Sequence, residues 1–210
     1  MRVHLVTGAG SGIGLALADR LEARGDRVLR LTRDVVDLAD ADAVRRWADG
    51  LGETRLDSVS HVAGTVDLGT VADLDLAAWR RQLDVNLTAP AVLTAALLPA
   101  LRAARGTVVL VNSSAGLTAH AGWSAYAASK YGLRALADTL RAEEAEHGVR
   151  VTTVFPSRTA TPMQEKVHEQ EGRTYDSSRW IRPETVVEAI VHVLDLPADA
   201  TIPELVIRPR

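Results

Sequence analysis

Short apolar runs alternate along the chain with longer segments in which apolar side chains recur every three or four residues. Residues 2–6 (RVHLV) are the first such run and read as a buried strand. Ile13, Leu17 and Leu21 then share one helical face, and Gly25 supplies a stop. Residues 27–32 form a second strand, and Val35 with Val36 a vestigial third one. A helix over 41–51 leads to a fourth strand over 56–63, and residues 76–105 make a long helix carrying Trp79, Leu83, Leu87, Leu97 and Leu101. Residues 106–112 (GTVVLVN) are a fifth strand. The helix after it, with Leu133, Leu136 and Leu140 on its apolar face, stops at Gly148. A sixth strand over 149–155, a helix from about 182 to 194 and a last strand over 203–208 complete the pattern. Strands alternating with helices in this way predict an α/β protein, here a single domain over 1–210.

The first strand runs straight into Thr7-Gly-Ala-Gly-Ser-Gly-Ile-Gly14 and then into a helix. Glycines let backbone approach a pyrophosphate, and a helix N-terminus presents free N–H groups at the positive end of its dipole. Gly8, Ser11, Gly12, Ile13 and Gly14 are the candidate phosphate-facing residues. A tight turn with no ligand is the plain alternative.

A second constellation is Ser113 followed by Tyr126-Ala-Ala-Ser-Lys130. Residues spaced i, i+4 project from one face of a helix about a turn apart. A phenol with a pKa of about 10 is a poor proton-transfer group near neutrality. A neighbouring ammonium favours the phenolate, and a nearby serine hydroxyl can hold a carbonyl or alcohol oxygen while the phenol moves the proton. The choice of lysine matters, because Lys130 and Lys166 are the only lysines among 24 basic residues. A compact ammonium does not substitute for a guanidinium fork. Taken alone, a Tyr–Lys pair on an amphipathic helix is more often an ordinary surface pair.

Composition narrows the chemistry. The chain has no cysteine, which excludes disulfides and thiolate sites, and its six histidines lack metal-ligand spacing, so no metal is expected. Net charge is −3 with both signs interspersed, so nothing argues for nucleic acid. The uncharged run over 85–101 contains Asn86, Thr88, Pro90, Thr94 and Pro99 and reads as a buried helix rather than a membrane span. With the first strand starting at residue 2, no leader is expected, and the expected location is cytoplasmic. Asn86 and Pro90 lie four apart, so proline withholds the N–H that the Asn86 carbonyl would accept in an unbroken helix.

Together the two motifs resemble the short-chain dehydrogenase/reductase family, from Arg2 to about Met163 and weakly again near the C-terminus. Thr7, Gly8, Gly12 and Gly14 match its T-G-x-x-x-G-x-G, and Tyr126 and Lys130 its Y-x-x-x-K. The resemblance implies a three-layer, Rossmann-type, doubly wound parallel sheet of about seven strands in the order 3-2-1-4-5-6-7. It implies Ser113 (alternatively Ser114), Tyr126, Lys130 and Asn86 as the catalytic group, with the Asn86 main chain supporting a water relay. Asp37 and Leu38 fall where the family contacts adenine, Ala63 and Gly64 where its backbone passes close to the cofactor, and Pro156, Thr159 and Thr161 where it covers the nicotinamide.

Departures from the family pattern are as informative. The acidic residue that selects NAD falls on Thr32, and Arg33 follows, which favours NADP(H) over NAD(H); Asp34 would reverse this if the register shifted by one. The usual helix between strands two and three is expected to be missing. His61-Val-Ala-Gly64 stands in place of N-N-A-G, with His61 a bracing residue rather than a catalyst, and Ser157 replaces a glycine. The polar stretch 164–180, with Met163, Tyr175 and Trp180 as its large apolar groups, reads as a mobile substrate lid over 163–181.

The implied function is an NADP(H)-dependent carbonyl reductase or alcohol dehydrogenase acting on a small-molecule carbonyl or alcohol, with homodimeric or homotetrameric assembly as in relatives. The alternatives are a non-catalytic NADP(H)-binding sensor or structural protein, and a dehydratase or epimerase using the same site. No acyl-carrier docking patch is evident beyond a weak one from Arg80, Arg81 and Arg102.

Overall fold

In the computed structural model, which describes Met1–Arg210, six parallel strands form one sheet. They are β1 (Val3–Thr7), β2 (Arg27–Leu31), β3 (Ser58–His61), β4 (Thr107–Val111), β5 (Arg150–Pro156) and β6 (Glu204–Ile207), in the order β2-β1-β3-β4-β5-β6. The helices are α1 (Gly12–Glu22), α2 (Ala41–Asp49), α3 (Leu76–Leu83), α4 (Ala89–Ala104), α5 (Ser124–Glu144), α6 (Pro162–Gln170) and α7 (Pro183–Leu194). Leu5, Val59, Val108 and Leu110 point to one face of the sheet and pack with α2, α4 and α5 through Val44, Leu93 and Leu133. Val6, Val109, Val111 and Val154 point to the other and meet Leu17 and Leu21 of α1 and Ile190 of α7. Because both faces are covered, the strands read as continuous apolar runs. The result is the three-layer doubly wound sheet expected from the sequence.

The chain leaves β1 toward β2 on one side and returns to β3 on the other, so the strand order reverses between β1 and β3. Open α/β sheets bind ligands at such a switch point, beyond the carboxyl ends of the strands. Here those ends are Thr7, His61, Val111 and Pro156.

The expected vestigial third strand does not form. Val35 and Val36 lie in a turn, both donating their N–H to the Thr32 carbonyl at 3.2 Å. Val36 is drawn into the core beside Leu5, Leu31 and Val44, and Asp40 caps α2 by accepting the Ala43 N–H at 2.9 Å. With a core anchor and a helix cap only four positions apart, no free backbone is left to pair with β2. The sheet therefore has six strands, and the chain passes from β2 through two turns into α2.

The long helix of residues 76–105 is also modified. Asp75 caps α3 by accepting the Ala78 N–H at 2.7 Å, and α3 leads through a π-helical turn, Asp84–Thr88, into α4. In that turn the Ala89 N–H bonds the Asp84 carbonyl, five residues back. Pro90 has no N–H for the Asn86 carbonyl, and widening the ladder just before it is a recurrent response to such a gap. The rod Leu76–Ala104 is long and apolar enough by composition to cross a membrane, yet in this fold Leu93, Leu97 and Leu101 pack into the core.

His61 braces the sheet. It is 3% exposed, and its Nε2 meets the Thr94 Oγ1 of α4 at 2.8 Å. Burial pulls its pKa down to about 3. The unfolded chain binds a proton there below about pH 6.5 and the folded protein does not, so stability falls as pH drops through that value, by about 1.4 kcal/mol per unit. His4, also buried and pulled below its ordinary value chiefly by burial, adds a contribution of the same sign. Denaturant melts between pH 6.5 and pH 5 should show wild type losing about 1.5 kcal/mol more than His61→Asn. Parallel losses in the two proteins would mean that His61 is not held neutral.

Candidate active site

A cavity of about 1020 Å³ opens at the switch point and extends from the glycine turn past β2 on one side and to α6 on the other. Its floor is the turn between β1 and α1. A Cβ on Gly8 would lie 2.9 Å from the Ala63 backbone, and one on Gly14 only 2.3 Å from the Gly8 carbonyl oxygen. Only glycine at both positions lets α1 start tight against the turn. The Thr7 Oγ1 accepts the N–H groups of Val62 and Ala63, each at 3.0 Å, and so ties the end of β1 to the segment after β3. Ser11 gives α1 no side-chain cap. The first-turn amides of Gly12, Ile13 and Gly14 therefore remain available to an anion.

The opposite wall carries the hydroxyls and the ammonium. β4 delivers Ser113 just past its end, and α5 delivers Tyr126 and Lys130 one turn apart. Asn112 locks these two elements together. Its Nδ2 donates to the Lys130 carbonyl at 2.9 Å, and its Oδ1 accepts the Ser113 N–H at 2.9 Å. Tyr126 is 6% exposed, with its ring edge-on to Trp123 at 5.7 Å. Lys130 is 3% exposed; its Nζ donates to the Val111 carbonyl at 3.1 Å and lies 5.7 Å from the centre of the Tyr126 ring.

Asn86 stands behind this group, and its side chain makes three hydrogen bonds. The Oδ1 accepts the Thr65 N–H at 2.8 Å, while the Nδ2 donates to the Thr65 carbonyl at 2.9 Å and to the Ser129 hydroxyl at 3.0 Å. Ser129 in turn donates to the Tyr126 carbonyl at 2.7 Å. A Cβ on Gly64 would meet the Asn86 Oδ1 at 3.3 Å and the Lys130 Nζ at 3.9 Å, so this glycine keeps the space between them open.

The electrostatics correct one expectation. The sequence suggests that Lys130 draws the Tyr126 pKa down. Here burial raises the phenol above its ordinary value, and the opposing influence comes from the Ser113 hydroxyl. Burial also draws Lys130 down to about 8. The ammonium lies 5.7 Å from the ring centre, and at this depth desolvation decides the direction of the shift. Tyr126 at neutral pH is thus a protonated donor beside a partly titrating lysine.

At the far end of β2, Arg33 lines the cavity and Asp34 does not. Thr32, Asp37 and Leu38 line it as well. Beyond β5, Pro156, Thr159 and Thr161 border the cavity. Thr161 caps α6 by accepting the Gln164 N–H at 3.3 Å and donates its own hydroxyl to the Thr159 carbonyl at 3.2 Å.

The stretch expected as a lid is more ordered than a polar loop. Residues 162–170 are α6, and Arg158 grips Glu171 through two bonds of 2.9 and 2.6 Å. Lys166 pairs with Asp67 at 2.6 Å, and His168 packs against Tyr175 and Trp180. Asn112 and Ser129 had no assigned part in the sequence reading. Ser129, three positions after Tyr126 inside the motif itself, carried the one available signal.

A six-stranded doubly wound sheet with a glycine cradle and a Ser–Tyr–Lys wall defines a dinucleotide-binding α/β protein. The family model described as short chain dehydrogenase matches residues 25–172. The chain belongs to the short-chain dehydrogenase family. It is 40% identical over 146 residues to an uncharacterized NAD-dependent oxidoreductase of Mycobacterium tuberculosis, covering 68% of this chain and 52% of that protein. It is 29% identical to a glycine betaine reductase of Emericella nidulans, over all of this chain but 19% of the relative. The chain thus spans about half the mycobacterial relative and a fifth of the fungal one. A short-chain dehydrogenase from Escherichia coli CFT073 in complex with NADPH superposes with a TM-score of 0.88 at 27% identity, over 99% of this chain and 97% of that one.

The cradle fits a nicotinamide dinucleotide on its own geometry. The glycine positions whose Cβ would collide and the free first-turn amides suit a pyrophosphate.

Proposed function

We propose that this protein is an NADP(H)-preferring carbonyl reductase or alcohol dehydrogenase for a small-molecule substrate. The observation that carries the reading is the convergence of Ser113, Tyr126 and Lys130 on one cavity wall opposite the glycine cradle. When bound, the nicotinamide supplies or accepts the hydride. In reduction the Tyr126 hydroxyl donates its proton to the substrate oxygen, and in oxidation the phenolate takes it back. Ser113 donates a hydrogen bond to the same oxygen and so favours the charge that builds there. Lys130, bonded to the Val111 carbonyl, keeps its remaining donors for the ribose and for the phenolate form of Tyr126. Asn86 and Ser129 position α5 against the segment after β3, and the segment 163–181 closes the substrate side. The outward face of α5, where Tyr131 is exposed, suits pairing of like helices in a homodimer or homotetramer.

The cofactor preference rests on Arg33, which borders the cavity with no acidic partner, while Asp34 does not line it. A guanidinium meets a 2′-phosphate through charge-assisted bonds and gains nothing comparable from a 2′-hydroxyl. Arg33→Ala should therefore lower kcat/KM for NADPH about thirtyfold and change that for NADH less than twofold. Measuring both with one ketone substrate decides it. A wild type that prefers NADH would show that Arg33 does not read the ribose.

A further inference from the structure

The cavity continues past β2 to Val36, Asp37 and Arg81. Sidedness identifies what this end accommodates. The glycine turn marks the pyrophosphate, and Ser113, Tyr126 and Lys130 stand on its β4 side. The β2 side is then the adenosine side of a dinucleotide lying across the switch point. This step rests on the reading given under Proposed function, that a dinucleotide fills the cavity.

At this end the chain enters α2 after two short turns, and part of the wall comes from α3. Arg81 and Val85, four positions apart, both line the cavity, whereas Arg80 is exposed and does not. The nearest acid to Arg81 is Asp37, with 3.8 Å between Nη1 and Oδ2, too long for a hydrogen bond. Asp37 accepts the Ala39 N–H through its other oxygen at 3.0 Å, so it is held in place while Arg81 is not gripped. The result is a loosely paired guanidinium, 38% exposed, lining this end of the cavity. Such a group is flat, delocalised and weakly hydrated, and it stacks readily on the face of a base.

We propose that Arg81 is the adenine clamp of this protein, its guanidinium stacking on the purine while Asp37 stays beside it as counter-ion. Arg81 then recognises the base shared by NADP(H) and NAD(H), and Arg33 the 2′-phosphate that only one of them carries. The two arginines divide the adenosine end between them.

Calorimetric titration of the full chain with 5′-AMP, NAD+ and NADP+ tests this without any turnover. Arg81→Ala should weaken all three about tenfold, by a common factor that leaves the NADP+ to NAD+ ratio unchanged. Arg33→Ala should alter that ratio and leave 5′-AMP unaffected. Arg81→Lys should recover little, because an ammonium keeps the charge and lacks the plane. Binding by Arg81→Ala within twofold of wild type for all three ligands would overturn the clamp, as would a loss confined to NADP+ or full rescue by lysine. A wild type that binds none of the three ligands would instead overturn the dinucleotide reading itself, and the clamp with it.

Discussion

Tyr126→Phe lowers kcat by about a thousandfold and leaves NADPH affinity within about twofold of wild type. The substitution removes one hydroxyl and keeps the ring, so the edge-on contact with Trp123 and the packing of α5 survive. What is lost is the proton donor to the substrate oxygen, and general acid–base groups contribute about 10²–10⁴ in rate. Ser113 can still hold that oxygen, but its hydroxyl is a far weaker acid than a phenol. The pH dependence separates the two directions of reaction. Burial holds the phenol above its ordinary value, so reduction proceeds at neutral pH with Tyr126 already protonated. Oxidation needs the phenolate, and its rate climbs as pH rises toward the phenol pKa. The check is NADPH consumption across a ketone panel beside fluorescence titration of NADPH with the same variant. Retention of more than a tenth of wild-type turnover would remove Tyr126 from the proton-transfer role. Unchanged biological output with no turnover in either protein would favour a cofactor-binding sensor.

Much of this architecture was legible because its signals are local. The glycine turn between Thr7 and Gly14 carries its backbone demands in the residues themselves, and Tyr126 and Lys130 meet through helical spacing alone. The short apolar runs around Leu5 and Val108 read as buried strands, and in the fold Leu5 and Val108 face one side of the sheet while Val6 and Val109 face the other. What escaped the sequence depends on tertiary placement. Val36 looked like strand material, being β-branched next to another valine, and became a core anchor once Asp40 fixed the start of α2. Tyr126 was expected to be acidified by its lysine; the depth at which α5 lies, which no spacing encodes, reversed the sign. Asn86 was noted for its carbonyl beside Pro90, yet its side chain makes three bonds across to Thr65 and Ser129. Arg81 drew notice only with Arg80 and Arg102 as a weak acyl-carrier patch, because its place on the cavity wall beside Asp37 depends on how α3 packs against the segment between β2 and α2.

Lys130→Met should lose activity by about a hundredfold or more and at the same time make the protein more stable. The lysine is buried and its pKa is pulled from 10.5 to about 8, so at neutral pH the folded protein carries an ammonium it holds at a cost of about 3 kcal/mol. Methionine is of similar length and carries no charge to desolvate. It leaves the Val111 carbonyl without its donor, which returns about 1–2 kcal/mol of that cost, so the net gain is about 1–2 kcal/mol. The sign of the pH dependence is diagnostic. Between about pH 8 and pH 10 the unfolded chain still binds the lysine proton while the folded protein has released it, so stability rises with pH. Over that window the wild type should gain about 2 kcal/mol and Lys130→Met should gain nothing from this source. Above about pH 10 the raised Tyr126 pKa acts in the opposite direction, because the unfolded phenol ionises first. Denaturant melts of both proteins at pH 8, 9 and 10 separate these effects. A wild-type curve that stays flat or falls from pH 8 to pH 10 would mean that Lys130 keeps its charge throughout. A rise confined to the wild type would show a site that retains its ammonium against the preference of the fold, which is the condition expected of a group kept for chemistry rather than for packing.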